Sequence, residues 1–343
     1  MKKKNLSQKK YFYLACGCAL IIAAMCYYYL FSAMSAKSTS QYLYVDNDDN
    51  IDSVCCKLEK FSNSHGIAAF RTLVRHSAYK ENIRTGRYET TPTNGALAVF
   101  RKLKSGMQAP VSLTIPTVRT LDKLADAISE KMMMSRNELL AALESDTVCK
   151  KYGYTQQTIS CMFIPNTYDL YWNMPVNKFL DRMNSESKKF WTFERKNKAK
   201  AMELSEEQVI TLASIVDEET ANDAEKPMIA GMYYNRLKAD MPLQADPTIK
   251  FALKQFELKR IYHNMLSTDS PYNTYKNTGL PPGPIRIPTV KGIDAVLNYV
   301  HHDYMYMCAK EDFSGTHNFA RTYEEHKLNA AKYTKALNER GIN

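Results

Sequence analysis

The sequence has no pair of cysteines at C-x-x-C spacing, no H-E-x-x-H signature, no internal repeat and no low-complexity tract. Of its eight cysteines, Cys16, Cys18 and Cys26 fall in one apolar run, leaving Cys55, Cys56, Cys149, Cys161 and Cys308. An odd number without paired spacing excludes a disulfide framework and a cysteine-rich zinc site. These five are expected as small buried thiols. His301 and His302 lack any partner at metal-binding spacing, so neither metal nor cofactor is expected. A basic stripe is also missing. The formal net charge is +10 over 343 residues, but Lys2, Lys3, Lys4, Lys9 and Lys10 supply five of those charges, leaving +5 after residue 36. Nucleic acid is therefore not an expected partner.

Charge is absent altogether from "YFYLACGCALIIAAMCYYYLFSAMSA", residues 11–36. A bilayer-crossing helix needs about 20 apolar residues. With five lysines before it and none inside, the lysine end is expected to stay cytoplasmic and the remainder to lie outside the membrane. A cleaved signal peptide is the competing reading, but the run is long for one and its small-residue cleavage candidate lies at the far end. A lipoprotein anchored through Cys16 fits less well, because little apolar sequence precedes that cysteine. The reading is thus a basic tail at 1–10, a transmembrane helix at 11–36 and a folded body beyond.

The body reads as α+β. Residues 35–50 pass from a polar linker through an alternating strand to an acidic turn. Helical patterns cover 51–61 and 65–77, the latter with Ile67, Phe70, Leu73 and Val74 on one stripe. "GRYETTPTNG" (86–95) predicts a strand and turn, 96–106 a helix stopped by Gly106, and "VSLTIP" (111–116) a strand. Residues 37–118 thus form a small α+β module with its linker. A second domain, 119–343, opens with mostly helical sequence to about residue 200. Within it, "FIPNTYDLYW" (163–172) reads as a loop packed on the next domain or as part of a groove wall.

The most informative segment is "LASIVDEET", residues 212–220. Ser205 and Gln208 form an S-x-x-Q capping box, and Val209, Leu212, Ala213 and Val216 follow as a buried stripe. At about 100° per residue, Glu218 falls with Glu207, Thr211 and Ser214 on the polar face and reads as a solvated charge. Asp217 falls at the boundary. Glu219 lies inside the stripe, where loss of hydration would raise its pKa and let it hold a proton near neutrality. The alternative is a helix that ends at Asp217, with Glu219 in an ordinary turn.

Downstream, 225–237 predicts a second helix closed by Asn235 and Arg236. In "LQADPTIKFAL" (243–253), Gln244, Asp246 and Thr248 either satisfy a turn or line a polar groove. "STDSPYNTYKNTGLPPGPIRIP" (267–288) has five prolines, two glycines and no helical or strand period. So long a loop is usually functional. Tyr272, Asn273, Thr274 and Tyr275 are expected on a stiff surface suited to a sugar, with a ligand-free surface loop as the alternative. Strands are predicted at 304–309 and 315–320, with His317 and Phe319 on one side. A final helix, 322–339, is capped by Thr322 and Glu325.

"LASIVDEET", "NRL", "LQADPT", "SPYNTYKNTGLPPGPI" and "HNF" occur in the order and near the spacing found in the MltG, or YceG-like, endolytic murein transglycosylases, and the sequence resembles that family over about residues 80–335. "FIPNTY" resembles the family's "FPDTY"-type segment, and "IRTGRYETTP…LKSG" its LysM-like module. The family pattern ASI-x-x-x-E ends on the catalytic acid, which corresponds to Glu219. Where the family often has Glu-Lys-Glu, this chain has Asp217-Glu218-Glu219, so like-charge repulsion is expected to make Glu219 still harder to ionise. The resemblance implies a catalytic domain at 119–343 that cuts peptidoglycan glycan strands, leaving a 1,6-anhydro-N-acetylmuramic acid end and terminating elongation. It implies a glycan groove built from Asn235, Arg236, Gln244, Asp246, Thr248, Tyr272, Asn273, Thr274, Tyr275, Pro282, Gly283, His317 and Phe319. It also implies a place in the cytoplasmic membrane with the catalytic domain in the periplasm, and peptidoglycan synthases as protein partners. A hydrolase using Asp246 or Asp217 to activate water, and a non-catalytic wall-binding scaffold, are the competing readings.

Overall fold

A computed structural model describes residues 2–258 and 260–340. The side chains of Lys2, Lys3 and Lys4 in the basic tail lie outside the described residues. The chain divides into two compact units, the first comprising 1–112 with 131–133 and 169–174, the second the remainder.

The first unit contains α1 (Lys2–Phe31), β1 (Gln41–Val45), α2 (Ile51–Glu59), α3 (Ser64–Arg75), β2 (Gly86–Thr90) and α4 (Ala96–Ser105). Within α1, Lys9–Phe31 is 23 residues long with mean hydropathy 2.0 and none of its best window buried. That is long and apolar enough to cross a membrane. Its last turn enters the unit's own core. Tyr29 Oη and Thr72 Oγ1 are hydrogen-bonded at 3.1 Å, and Ser32 Oγ lies 2.6 Å from His65 Nε2. Strands β1 and β2 pair antiparallel, Leu43 opposite Tyr88 and Val45 opposite Gly86. Period-2 alternation turns Leu43, Val45 and Tyr88 inward onto Val54, Leu58, Phe70 and Leu103. Gly106 ends α4 in the left-handed region at φ 73°, where a β-carbon would be strained.

Strand β3 (Val111–Thr114) pairs with β4 (Thr167–Leu170). The segment 163–172 is therefore not a loop at its centre. It is a short strand whose Tyr168 and Leu170 are buried, with Phe163 and Ile164 buried just before it. Helices α5 (Leu121–Ser129), α6 (Arg136–Leu143), α7 (Asp146–Tyr152), α8 (Val176–Phe190) and α9 (Phe193–Ala201) account for the helical character of this region.

The second unit's core surrounds α10 (Glu206–Glu219), against which α11 (Lys226–Lys238), α12 (Asp246–Ala252) and α13 (Val290–Leu297) pack. The Ser205–Gln208 capping box is present in both directions and starts α10. The helix is buried nearly all round, because its expected polar face is covered. Thr211 and Ser214 are buried, and Ser214 Oγ accepts the backbone N–H of Ile285 at 3.0 Å from the proline-rich loop. Each hydroxyl also donates to a carbonyl of the helix itself, Thr211 to Glu207 and Ser214 to Thr211, so burial leaves neither orphaned. Hairpin β5 (Tyr306–Ala309) and β6 (His317–Ala320) pairs His317 with Ala309 and Phe319 with Met307. Helix α14 (Tyr323–Glu339), begun by a Thr322–Glu325 capping box, packs on that hairpin.

Three of the thiols, Cys55, Cys149 and Cys161, are buried as expected, but Cys56 is exposed and Cys308 only half-buried. Position explains both: Cys56 is on the outer side of α2, and Cys308 is on a two-stranded hairpin with one open face.

Candidate functional site

The three adjacent acids at the end of α10 have different fates. Asp217 turns into the core. Its carboxylate takes the Lys226 ammonium at 2.8 Å, both side chains at most 5% exposed, and accepts the Thr289 backbone N–H at 2.6 Å. The helix carrying Thr289 passes so close that a β-carbon on Gly292 would overlap the Asp217 carboxylate. Asp217 thus ties α10 to α11 and α13. Glu218 is not a solvated charge. It is 10% exposed and gripped by the Arg119 guanidinium through two bonds of 2.8 Å and by Arg286 at 3.1 Å. Bidentate pairing of this kind holds a carboxylate ionised and oriented.

Glu219 is the last residue of α10 and forms no ion pair among the described residues. Tyr233, two turns into α11 and 2% exposed, donates its hydroxyl to Glu219 Oε1 at 2.6 Å. Burial pushes the Glu219 carboxyl up to about 7, against the Tyr233 bond, which favours the ionised form. Like-charge repulsion adds to the rise, but it comes from Asp246 across the cavity rather than from the two neighbouring acids, which Lys226, Arg119 and Arg286 neutralise. With Oε1 engaged, a proton on Oε2 is free to face the cavity.

That cavity holds about 320 Å³ and gathers Glu219, Arg236, Gln244, Asp246, Tyr275 and His317 from the predicted residues. Asp246 accepts the Tyr275 hydroxyl at 2.5 Å, and burial together with Asp246 pushes the Tyr275 phenol upward. Arg236 reaches the cavity while its Nε donates to the Met305 carbonyl at 2.6 Å and its Nη1 to those of Pro242 and Leu243 at 3.0 and 2.9 Å. Sequence reasoning overlooked Tyr306, Met307, Cys308, Tyr323 and His326, which form the opposite wall from β5 and α14. Only Tyr306 carried a sequence signal, the aromatic density of 299–306. The Tyr306 and His326 rings stack at 5.5 Å, making a flat apolar face.

The other predicted residues stand outside this cavity. Asn235 donates to the carbonyls of His302 and Tyr304 at 2.6 and 3.1 Å, fastening the approach to β5. Thr248, Asn273 and Thr274 do not form a surface, being at most 1% exposed. The Thr248 and Thr274 hydroxyls meet at 2.8 Å, and Asn273 Nδ2 donates to the Leu266 and Thr268 carbonyls. Asn273 folds the loop upon itself, and the Thr248–Thr274 pair ties it to the first turn of α12, which together carry Tyr275 to its position. Tyr272 packs on Phe251 and lines a second cavity of about 330 Å³ with Arg119 and Arg286. Gly283 is pressed against the Gln157 backbone, Pro282 is exposed beside it, and Phe319 packs near Tyr304. No group of three or more His, Cys, Asp or Glu side chains among the described residues is arranged to hold a metal ion.

A proton-bearing carboxyl in a partly enclosed, hydroxyl- and amide-lined cavity with an aromatic wall has the chemistry of a general acid facing a sugar. A curated endolytic murein transglycosylase of Bacillus subtilis (strain 168) is 28% identical over 319 residues, covering 88% of this chain and 87% of its own length. One from Streptococcus pneumoniae is 26% identical over 328 residues, covering 85% of this chain and 58% of that longer protein. The crystal structure of a yceG-like protein from Listeria monocytogenes aligns with a TM-score of 0.56 at 25% identity, over 85% of this chain and 99% of the other. The model of the YceG-like family matches residues 43–332, reaching into both compact units, and the chain belongs to the YceG-like family.

Proposed function

We propose that the protein is a membrane-anchored endolytic transglycosylase of peptidoglycan, with Glu219 as its acid. The observation that carries the reading is a carboxyl held near pKa 7 by burial, without an ion pair among the described residues, and fixed through one oxygen by Tyr233 at the cavity wall. The family and the names of its curated relatives supply the substrate class. Glu219 protonates the glycosidic oxygen between N-acetylmuramic acid and N-acetylglucosamine. The muramic acid C6 hydroxyl closes on C1, giving a 1,6-anhydro end without water and stopping that strand's elongation. Gln244, Asp246 and Tyr275 hold the sugar from one side, and Tyr306 and His326 from the other.

The remaining assignments follow from this reading. Residues 11–36 anchor the chain in the cytoplasmic membrane, 1–10 stay inside, and the catalytic domain at 119–343 works in the periplasm beside peptidoglycan synthases. A LysM-like module at 37–118 is supported by the order β1, two helices, β2, with the strands antiparallel.

A hydrolase on the same scaffold has one observation in its favour: Asp246 lines the same cavity as Glu219, the two-carboxylate arrangement of glycosidases. Asp217 has no such part, being sealed in its ion pair. The test is digestion of uncrosslinked glycan strands by the full chain in detergent, with Glu219→Gln beside it and the ends read by mass spectrometry. Internal cuts with anhydro ends from wild type alone are expected. Reducing ends would establish the hydrolase, and unchanged cutting by Glu219→Gln would remove Glu219 from the chemistry.

A further inference from the structure

Glu225 stands immediately before α11 and is 8% exposed. A buried carboxylate is costly unless its lone pairs are met, and both oxygens of this one are committed to a single residue of β6. Oε1 accepts the backbone N–H of His317 at 2.6 Å, and Oε2 lies 3.0 Å from His317 Nδ1. An ionised carboxylate can only accept, so Nδ1 donates to it, and in the neutral form of the ring the lone pair is then on Nε2. Nε2 has no hydrogen bond among the described residues, and His317 lines the cavity with Glu219. Helix α11 thus orients two groups, holding Glu219 through Tyr233 and His317 through the residue that precedes its first turn.

Resting on the transglycosylase reading above, we propose that His317 is the proton acceptor of ring closure and Glu225 its positioning residue. As the bond from C1 to the leaving oxygen breaks, Glu219 gives its proton to that oxygen. The C6 oxygen bonds to C1, and its hydrogen passes to His317 Nε2. The carboxylate and imidazolium left behind return to their starting states when the proton crosses back to Glu219. No water or other co-reactant is consumed. The division of labour leaves Glu219 with a single task, donation, for which a carboxyl that resists ionisation is suited.

The test compares wild type, Glu225→Gln, His317→Gln and His317→Ala as full chains in detergent micelles on uncrosslinked glycan strands. Rates, anhydro ends, reducing ends and melting temperature are recorded. In Glu225→Gln the amide oxygen still meets the backbone N–H, but its NH2 faces Nδ1 and drives the ring hydrogen to Nε2, the wrong tautomer. A kcat loss on the order of 100-fold with KM nearly unchanged is expected. The surviving product should shift from anhydro toward reducing ends, because water competes when the C6 hydroxyl is not deprotonated. Added imidazole should restore part of the anhydro product to His317→Ala. A purely structural pair would change melting temperature or KM and leave the end ratio alone, and that result overturns the proposal. So does anhydro product at wild-type kcat from Glu225→Gln or His317→Gln. If wild type itself makes only reducing ends, the transglycosylase reading falls and this proposal with it.

Discussion

Replacing Tyr233 by phenylalanine removes one hydroxyl from a side chain 2% exposed and leaves its ring volume in place. The lost bond is the 2.6 Å donation to Glu219 Oε1. A hydrogen bond to a charged group contributes roughly 1.5–3 kcal/mol, and one to a neutral group about 1 kcal/mol. The ionised carboxylate therefore loses about 1–2 kcal/mol more than the protonated form does, which is about one pH unit. Tyr233 works against the burial that holds Glu219 near 7, so its removal should send the carboxyl higher, to about 8. The assay is kcat/KM against pH on uncrosslinked glycan strands, whose alkaline limb reports loss of the acid's proton in the free enzyme. A carbon-13 titration of the Glu219 carboxyl, assigned against Glu219→Gln, reads the same group directly. The limb and the carboxyl resonance should move up together. A titration that stays in place or moves down would refute the account of how the acid is held.

The same carboxyl makes a stability prediction. Glu219 ionises near 4.5 when unfolded and near 7 when folded, so its contribution is whole below pH 4.5 and is lost as pH rises through about 7. Glu219→Gln, which cannot ionise, should therefore gain up to about 3 kcal/mol over wild type at alkaline pH and little at about pH 4. Equal denaturation midpoint differences at the two pH values would contradict this. Lys226→Met should cost about 3 kcal/mol in chemical denaturation, because it leaves the Asp217 carboxylate buried without its cation. A loss under 1 kcal/mol, about the worth of an exposed pair, would mean that water reaches Asp217. Gly292→Ala should cost about 1–3 kcal/mol by forcing α13 away from Asp217. Unchanged thermal stability would show that the helix can yield there.

Features set by neighbours in sequence were legible. Both capping boxes, the left-handed stop at Gly106 and the 3.6-residue period that singled out Glu219 depend on contacts within a few residues. Features set by distant segments were not. The polar side of α10 looked solvated because its cover, the backbone of Ile285, arrives 71 residues after Ser214. Glu218 looked free because Arg119 lies 99 residues before it. The 163–172 segment resembled a loop since the strand that orders it precedes it by about fifty residues, Thr114 meeting Thr167 at 2.8 Å. The cavity's far wall was missed for the same reason, as nothing local tells Tyr323 and His326 of a terminal helix that Glu219 is near. In the proline-rich loop the residue types suggested contact with sugar. Asn273 instead uses its amide to hold the loop's own turn, and Thr274 uses its hydroxyl to fasten the loop to the start of α12.

Helix α10 begins with Glu206 and Glu207 in its first turn and ends on Glu219. Aligned peptide dipoles give a helix a partial positive charge at its start and a partial negative charge at its end, worth roughly 0.3–1 kcal/mol to a nearby ion. The first two acids therefore sit where the backbone welcomes an anion, and the last sits where it repels one. Asp217 and Glu218 escape that repulsion through their ammonium and guanidinium partners. Glu219, with no such partner among the described residues, meets the field with its proton on. Part of its readiness to donate thus belongs to the peptide backbone and not to any side chain of the cavity, and that part should survive substitutions that redraw the walls around it.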